Sequence, residues 1–178
     1  FVDANNCFDA ATAVQLANRI REFDIGLFEE PVLADDIPGL RRFRQGTDIP
    51  LATGEHEYTK YGVRDLLLAE AADIVQVDGA RAGGYTEMLK IAALTQAWNV
   101  KFAPHGMENI HLHLVAACAN GAFLERLLMF EEITGLVFKD APVPVDGYME
   151  IPDLPGLGLV LDVEFIREHD EAPRARYV

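Results

Sequence analysis

Short apolar runs alternate with amphipathic stretches along most of the chain. "FVDAN" (1–5), "IGLFEEP" (25–31), "IPLATGE" (49–55), "ADIVQVD" (72–78) and "VKFAPH" (100–105) each set a few apolar residues before a polar ending. They lack strict alternation, as parallel strands do when both faces are covered. Between them, residues 9–23 place Ala13, Leu16, Ala17, Ile20 and Phe23 at helical spacing behind a cap candidate, Asp9. Residues 36–45 predict a short helix with Pro38 tolerated in its first turn. Further helices are predicted over 59–70 behind Thr59, over 84–98 and over 109–120, and "FLERLLMF" (123–130) reads as a last strand.

Strand-helix units of about 25 residues point to an α/β fold, either a doubly wound sheet or a (β/α)8 barrel. About six units are visible, and a barrel of this kind runs to about 250 residues. The chain is therefore expected to be the C-terminal part of a longer protein. From residue 136 the composition turns Pro- and Gly-rich, and Asp146-Gly147 between β-like segments signals a hairpin. The expected organisation is a partial (β/α) barrel over 1–135 and an irregular arm over 136–178.

The 178 residues are 50% hydrophobic and 25% charged, with a net charge of −14. That balance is globular, and it argues against nucleic acid or anionic membranes as partners. It leaves an anionic substrate open, because a bound divalent cation reverses the local field. No apolar run approaches the roughly 18 residues of a membrane helix. The opening residues show no secretory pattern, and Cys7 and Cys118 read as reduced thiols, so the expected location is the cytoplasm.

The chemistry sits at the strand ends. Asp3, Glu29, Glu55, Asp78, His105 and Glu125 close successive strands on the side where (β/α)8 enzymes carry their active sites. Three converging carboxylates repel one another unless a cation joins them, and an all-oxygen set favours Mg2+. Glu30 follows Glu29 directly, and parity alone does not say which of the two faces inward. Asp78 and His105 end consecutive strands, the layout of a carboxylate-oriented general base. Arg81 reads as a loop brace, Gly83-Gly84 as a tight turn, and His111 and His113 as helix-packing residues.

With these motifs in order ("VDAN", "FEEP", "ATGE", "IVQVD" with "GG" following, "APHG" and "LE"), the chain resembles the mandelate racemase branch of the enolase superfamily. Sites of that superfamily pair a Lys or His base with one or two Mg2+ ions. The resemblance implies a modified (β/α)8 barrel whose C-terminal segment returns to a capping domain. It implies Asp3, Glu29 and Glu55 as Mg2+ ligands, and Asp78 and His105 as the catalytic dyad. It also implies Glu125 as the acid facing the substrate carboxylate, with Asn5 near the substrate. "TGEHE" is similar to the same segment of rhamnonate-type dehydratases, and His56 is expected to face the substrate or a neighbouring loop. Asn5 stands where some sugar-acid dehydratases carry a His, which disfavours their two-base arrangement. The implied activity is a Mg2+-dependent acid-sugar dehydratase that removes an α-proton and eliminates water through an enolate. The alternatives are a racemase or epimerase of an α-substituted carboxylate, and a non-catalytic barrel remnant. The expected partners are a small-molecule carboxylate and further copies of the chain.

Overall fold

Five short parallel strands lie side by side in chain order, each followed by a helix packed on the same face of the sheet. The computed structural model describes residues 1–169. The strands are β1 (Val2–Asp3), β2 (Phe28–Glu29), β3 (Leu51–Thr53), β4 (Ile74–Val75) and β5 (Lys101–Phe102), hydrogen-bonded in that order. The helices are α1 (Ala10–Ile20), α2 (Ile37–Gly46), α3 (Lys60–Leu68), α4 (Tyr85–Ala97) and α5 (Glu108–Ala117). This is the strand-helix repeat expected from the sequence, and the sheet is open.

The helix starts follow from local chemistry. Asp9 accepts from the backbone of Ala11 at 2.9 Å and of Thr12 at 3.0 Å, and Asp36 accepts from Gly39 at 3.0 Å. Such caps satisfy donors that the first helical turn leaves open. Thr59 does the same for Tyr61.

The two faces of the sheet are distinct. Phe28 and Leu51 pack with Ala13, Ala17, Leu40 and Phe43 under α1 and α2, while Val75 and Phe102 pack with Val63, Met88 and Ile91 under α3 and α4. The opposite face is a small cluster of Leu27, Ala52, Ile74 and Ala103 against Phe123. Since side chains alternate along a strand, Glu29 shares the inner face with Leu27, and Gln76 and Asp78 share it with Ile74. Glu29 rather than Glu30 therefore joins the inner face of the strand ends.

The sequence reading of a last strand at 123–130 does not hold. The sixth rung is a single parallel bridge between Phe102 and Gly121, and Leu128–Val137 forms helix α6. A short apolar run does not separate strand from helix by periodicity, and Leu, Met and Glu here are good helix formers. Beyond it, β6 (Phe138–Lys139) pairs antiparallel with β7 (Val160–Leu161), and α7 (Val163–Glu168) follows. Asp146 and Gly147 both have positive φ inside a hairpin closed by Val145 and Tyr148, as their sequence predicts. The expected arm over 136–178 is thus described to residue 169, and its remaining residues lie outside the described ones. Among the described residues no helix is long and apolar enough to cross a membrane.

Candidate active site at the strand ends

The C-terminal ends of β1 to β5 carry the polar residues in register. Asp3 pairs with Glu29 across β1 and β2, and Glu29 with Ala52 across β2 and β3. Asp3 is exposed, and its Oδ1 accepts from the Asn5 backbone N–H at 2.8 Å. Asn5 is itself exposed in the turn that follows.

Glu55 lies beyond β3, where Gly54 breaks the strand alternation at φ 134°. A Cβ at Gly54 would stand 3.1 Å from the Gln76 backbone nitrogen, so the close approach and the backbone angle both call for glycine. Past this break Glu55 turns toward the dyad. One of its oxygens, Oε2, is 2.9 Å from His105 Nε2, and Oε1 is 3.1 Å from Arg81 Nη1. The His105 hydrogen bond, with the His105 and Arg81 charges, outweighs burial and holds the Glu55 carboxyl at about 2.

His105 is buried at the end of β5. Its Nδ1 lies 3.2 Å from Asp78 Oδ2, at the end of β4. Burial would lower its pKa, but hydrogen bonds to Asp78 and Glu55 and the negative charge of Glu55 and Glu125 carry it up to about 10. Burial raises Asp78, and this is outweighed by hydrogen bonds from His105 and from the Ala80 backbone, so its carboxyl is held below the usual range. Glu125 accepts from the Gly106 N–H at 2.7 Å. Its carboxyl is raised chiefly by burial, and further by Glu55 and Asp3, against the Gly106 bond and His105.

Glu29 is pushed up to about 8, first by burial and then by the charge of Glu125, against a Gln76 hydrogen bond, with Asp3 and Glu55 adding to the rise. Asp3, Glu29, Glu55, Asp78 and Glu125 thus crowd around the His105 imidazole, and among the described residues Arg81 is the guanidinium that pairs with them. Such a set is short of positive charge, and its donors are hard oxygens suited to Mg2+. Within the expected trio of Asp3, Glu29 and Glu55, the Glu55 oxygens are engaged by His105 and Arg81. Among the described residues, the group whose ligand atoms come within 4.8 Å of one another is Glu30, Glu55 and His56. His56 is 44% exposed, with Nε2 3.4 Å from Glu30 Oε2.

Arg81, read from the sequence as a loop brace, and His111, read as a packing residue, both reach the site, and Gln76 was not singled out. Arg81 ties two strand ends together, with Nη1 3.0 Å from the Glu55 carbonyl and Nε 3.5 Å from Asp78 Oδ2. His111 on α5 is buried, bonds the Gly106 carbonyl through Nδ1 at 2.8 Å and accepts from the Gly79 N–H at 3.1 Å. It thereby braces the residues that follow Asp78 and His105. Gln76 is buried on the inner face beside Glu29, and its polar side chain inside "IVQVD" was the available signal.

Comparison with known proteins gives one consistent result. A family model described as "Enolase C-terminal domain-like" matches residues 1–165. An L-rhamnonate dehydratase of Saccharopolyspora erythraea is 38% identical over 91% of this chain and 44% of its own. An L-talarate/galactarate dehydratase of Salmonella typhimurium is 38% identical over 90% of this chain and 39% of its own. The crystal structure of an L-talarate dehydratase from Polaromonas sp. JS666, complexed with Mg and L-glucarate, superposes with a TM-score of 0.85 at 34% identity. That match covers 93% of this chain and 45% of the other. The chain therefore spans less than half the length of these relatives.

Proposed function

The chain belongs to the enolase C-terminal domain-like family, and from that premise we propose that it carries the metal-binding and proton-abstracting groups of a Mg2+-dependent acid-sugar dehydratase. The observation that carries this reading is the buried His105, fixed through Nδ1 by Asp78 with Nε2 directed into the acidic cluster.

Asp3, Glu29 and Glu55 would hold Mg2+. When bound, the ion supplies positive charge against the substrate carboxylate while charge develops there. With Glu55 committed to the ion, His105 Nε2 would be free to take the α-proton. Asp78 accepts from Nδ1–H, which fixes the tautomer and stabilises the imidazolium that results. Glu125, kept protonated more readily by its burial, donates a hydrogen bond to the substrate carboxylate. The imidazolium of His105 then returns its proton to the departing β-hydroxyl, so that water leaves and a 2-keto-3-deoxy acid remains after tautomerisation. Asn5 and His56 flank this space as substrate-binding residues.

The arm from residue 136 would pack on a capping domain. Val143 at 62% and Tyr148 at 80% exposure support that reading, since apolar side chains of this kind seek cover. The partners would be a sugar acid and further copies of the chain, in the cytoplasm.

A panel of sugar acids incubated with the protein and Mg2+ tests the proposal. A 2-keto-3-deoxy product from at least one acid, lost in His105→Ala, is the expected result. Deuterium wash-in at the α-carbon across the panel, without any keto product, would instead move the reading to racemisation.

A further inference from the structure

We propose, resting on the dehydratase reading above, that His111 is a positioning residue for proton abstraction: its imidazole ties the loop after Asp78 to the loop after His105 and so sets the spacing of the dyad. The need for such a tie follows from the sheet. Among the described residues, the last backbone bond between β4 and β5 runs from the Ala103 N–H to the Val75 carbonyl at 3.0 Å, and Asp78 and His105 both lie beyond it. Past that rung no ladder bond fixes the separation on which the 3.2 Å contact of His105 Nδ1 with Asp78 Oδ2 depends.

His111 bridges the two strand ends. Its Nε2 accepts from the N–H of Gly79, the residue after Asp78, at 3.1 Å, and its Nδ1 meets the carbonyl of Gly106, the residue after His105, at 2.8 Å. An N–H only donates and a carbonyl only accepts, so the ring carries its proton on Nδ1 and is neutral. Burial favours that form: it holds the His111 imidazole below its usual pKa, against the Gly106 bond and the Asp78 charge, with His105 adding to the fall. His111 is 1% exposed, so water does not compete for either bond.

The backbone on both sides is shaped to this contact. Gly106 and Met107 have φ 48° and 47°, a left-handed turn that brings the start of α5 back behind His105 and lets His111 reach the Gly106 carbonyl. On the other side, a Cβ at Gly79 would stand 2.7 Å from His111 Nε2 and 3.5 Å from Met88 Cγ, so only glycine admits the imidazole at bonding distance. His111 is not among the groups assigned to substrate or metal. It acts through Gly79 and Gly106 on Asp78 and His105.

Proton NMR of the metal-free protein reads the dyad directly. The wild type should show a low-field resonance for the His105 Nδ1–H bonded to Asp78, and a Gly79 amide that exchanges slowly. His111→Leu should lose the resonance and speed Gly79 exchange by about tenfold, the equivalent of one hydrogen bond. Gly79→Ala, which adds one methyl group and displaces the imidazole, should lose the resonance as well, and it decides the matter if His111→Leu does not fold. His111→Gln, whose amide oxygen can stand in for Nε2, should restore slow Gly79 exchange. With a sugar acid that the wild type converts, kcat in His111→Leu and Gly79→Ala should fall by about 100-fold with KM changed far less, as for a base misplaced by about 1 Å. Absence of the resonance in the wild type, its survival in His111→Leu or Gly79→Ala, fast Gly79 exchange in His111→Gln, or an undiminished kcat in a variant that has lost the resonance would each overturn the proposal. A wild type that converts no sugar acid would sink the dehydratase reading instead, and the resonance would still decide whether His111 sets the dyad.

Discussion

Replacing Glu29 by Gln should remove the pH dependence of stability that this residue imposes on the metal-free protein. Its carboxyl is raised from 4.5 to about 8 by burial and by neighbouring acids. A raised folded-state pKa contributes stability that is fully present below the unfolded value. That stability is lost as pH climbs through the folded value, because the folded state then holds the extra proton less and less. The full shift, 8 − 4.5 = 3.5, corresponds to an upper limit of about 5 kcal/mol at about 1.4 kcal/mol for each pH unit. Between pH 6 and pH 9 the same relation gives a loss of about 3 kcal/mol. His105 and the general acidity of the chain also erode stability over this range, so the difference between wild type and Glu29→Gln is the quantity to read. Urea unfolding in a chelator at the two pH values measures it, and the variant should lose about 3 kcal/mol less than the wild type. Mg2+ should abolish most of the wild-type loss, since a cation replaces the proton. Equal losses in wild type and variant would refute the claim that Glu29 sits in a pocket short of positive charge.

Other expectations follow from the same geometry. In the metal-free protein the His105 imidazole should titrate near 10, and nitrogen-15 spectra should show that value fall on adding Mg2+, as Glu55 leaves Nε2. The sign is that of a stabilising proton, lost as pH rises through about 10. Asp78→Asn should keep the fold and Mg2+ binding yet lower kcat by about 100-fold or more, because the imidazole loses its tautomer anchor; unchanged kcat would remove Asp78 from the dyad. Gly54→Ala forces a side chain into φ 134° and to within 3.1 Å of the Gln76 nitrogen. A stability loss of about 1–3 kcal/mol by thermal or urea melts is expected, and a neutral result would show that the backbone there relaxes freely.

Much of the site is written in the order of polar residues along the chain. Parallel strands that all begin and end at the same level put their last residues at one edge, so Asp3, Glu29, Asp78 and His105 announce a site by position alone. Glu55 needed Gly54 as well, because without the break in alternation it would point to the helix side. Parity alone left Glu29 and Glu30 open; the resemblance pointed to Glu29, and Leu27 and Phe28 on opposite faces put Glu29 on the inner one. Arg81 and His111 act through partners far away in sequence, Glu55 for one and Gly79 for the other, and such pairings leave no local pattern. The segment 123–130 misled for a different reason: an apolar run of that length fits a buried strand or the start of a helix equally well.

The most direct test of the account follows the α-proton itself. A sugar acid that the protein turns over is incubated in heavy water with Mg2+, and the loss of α-hydrogen and the yield of keto acid are followed by proton NMR. The account predicts both in the wild type, neither in His105→Asn, and neither in the wild type once a chelator has removed the metal. Loss of the α-hydrogen at an undiminished rate in His105→Asn would contradict it.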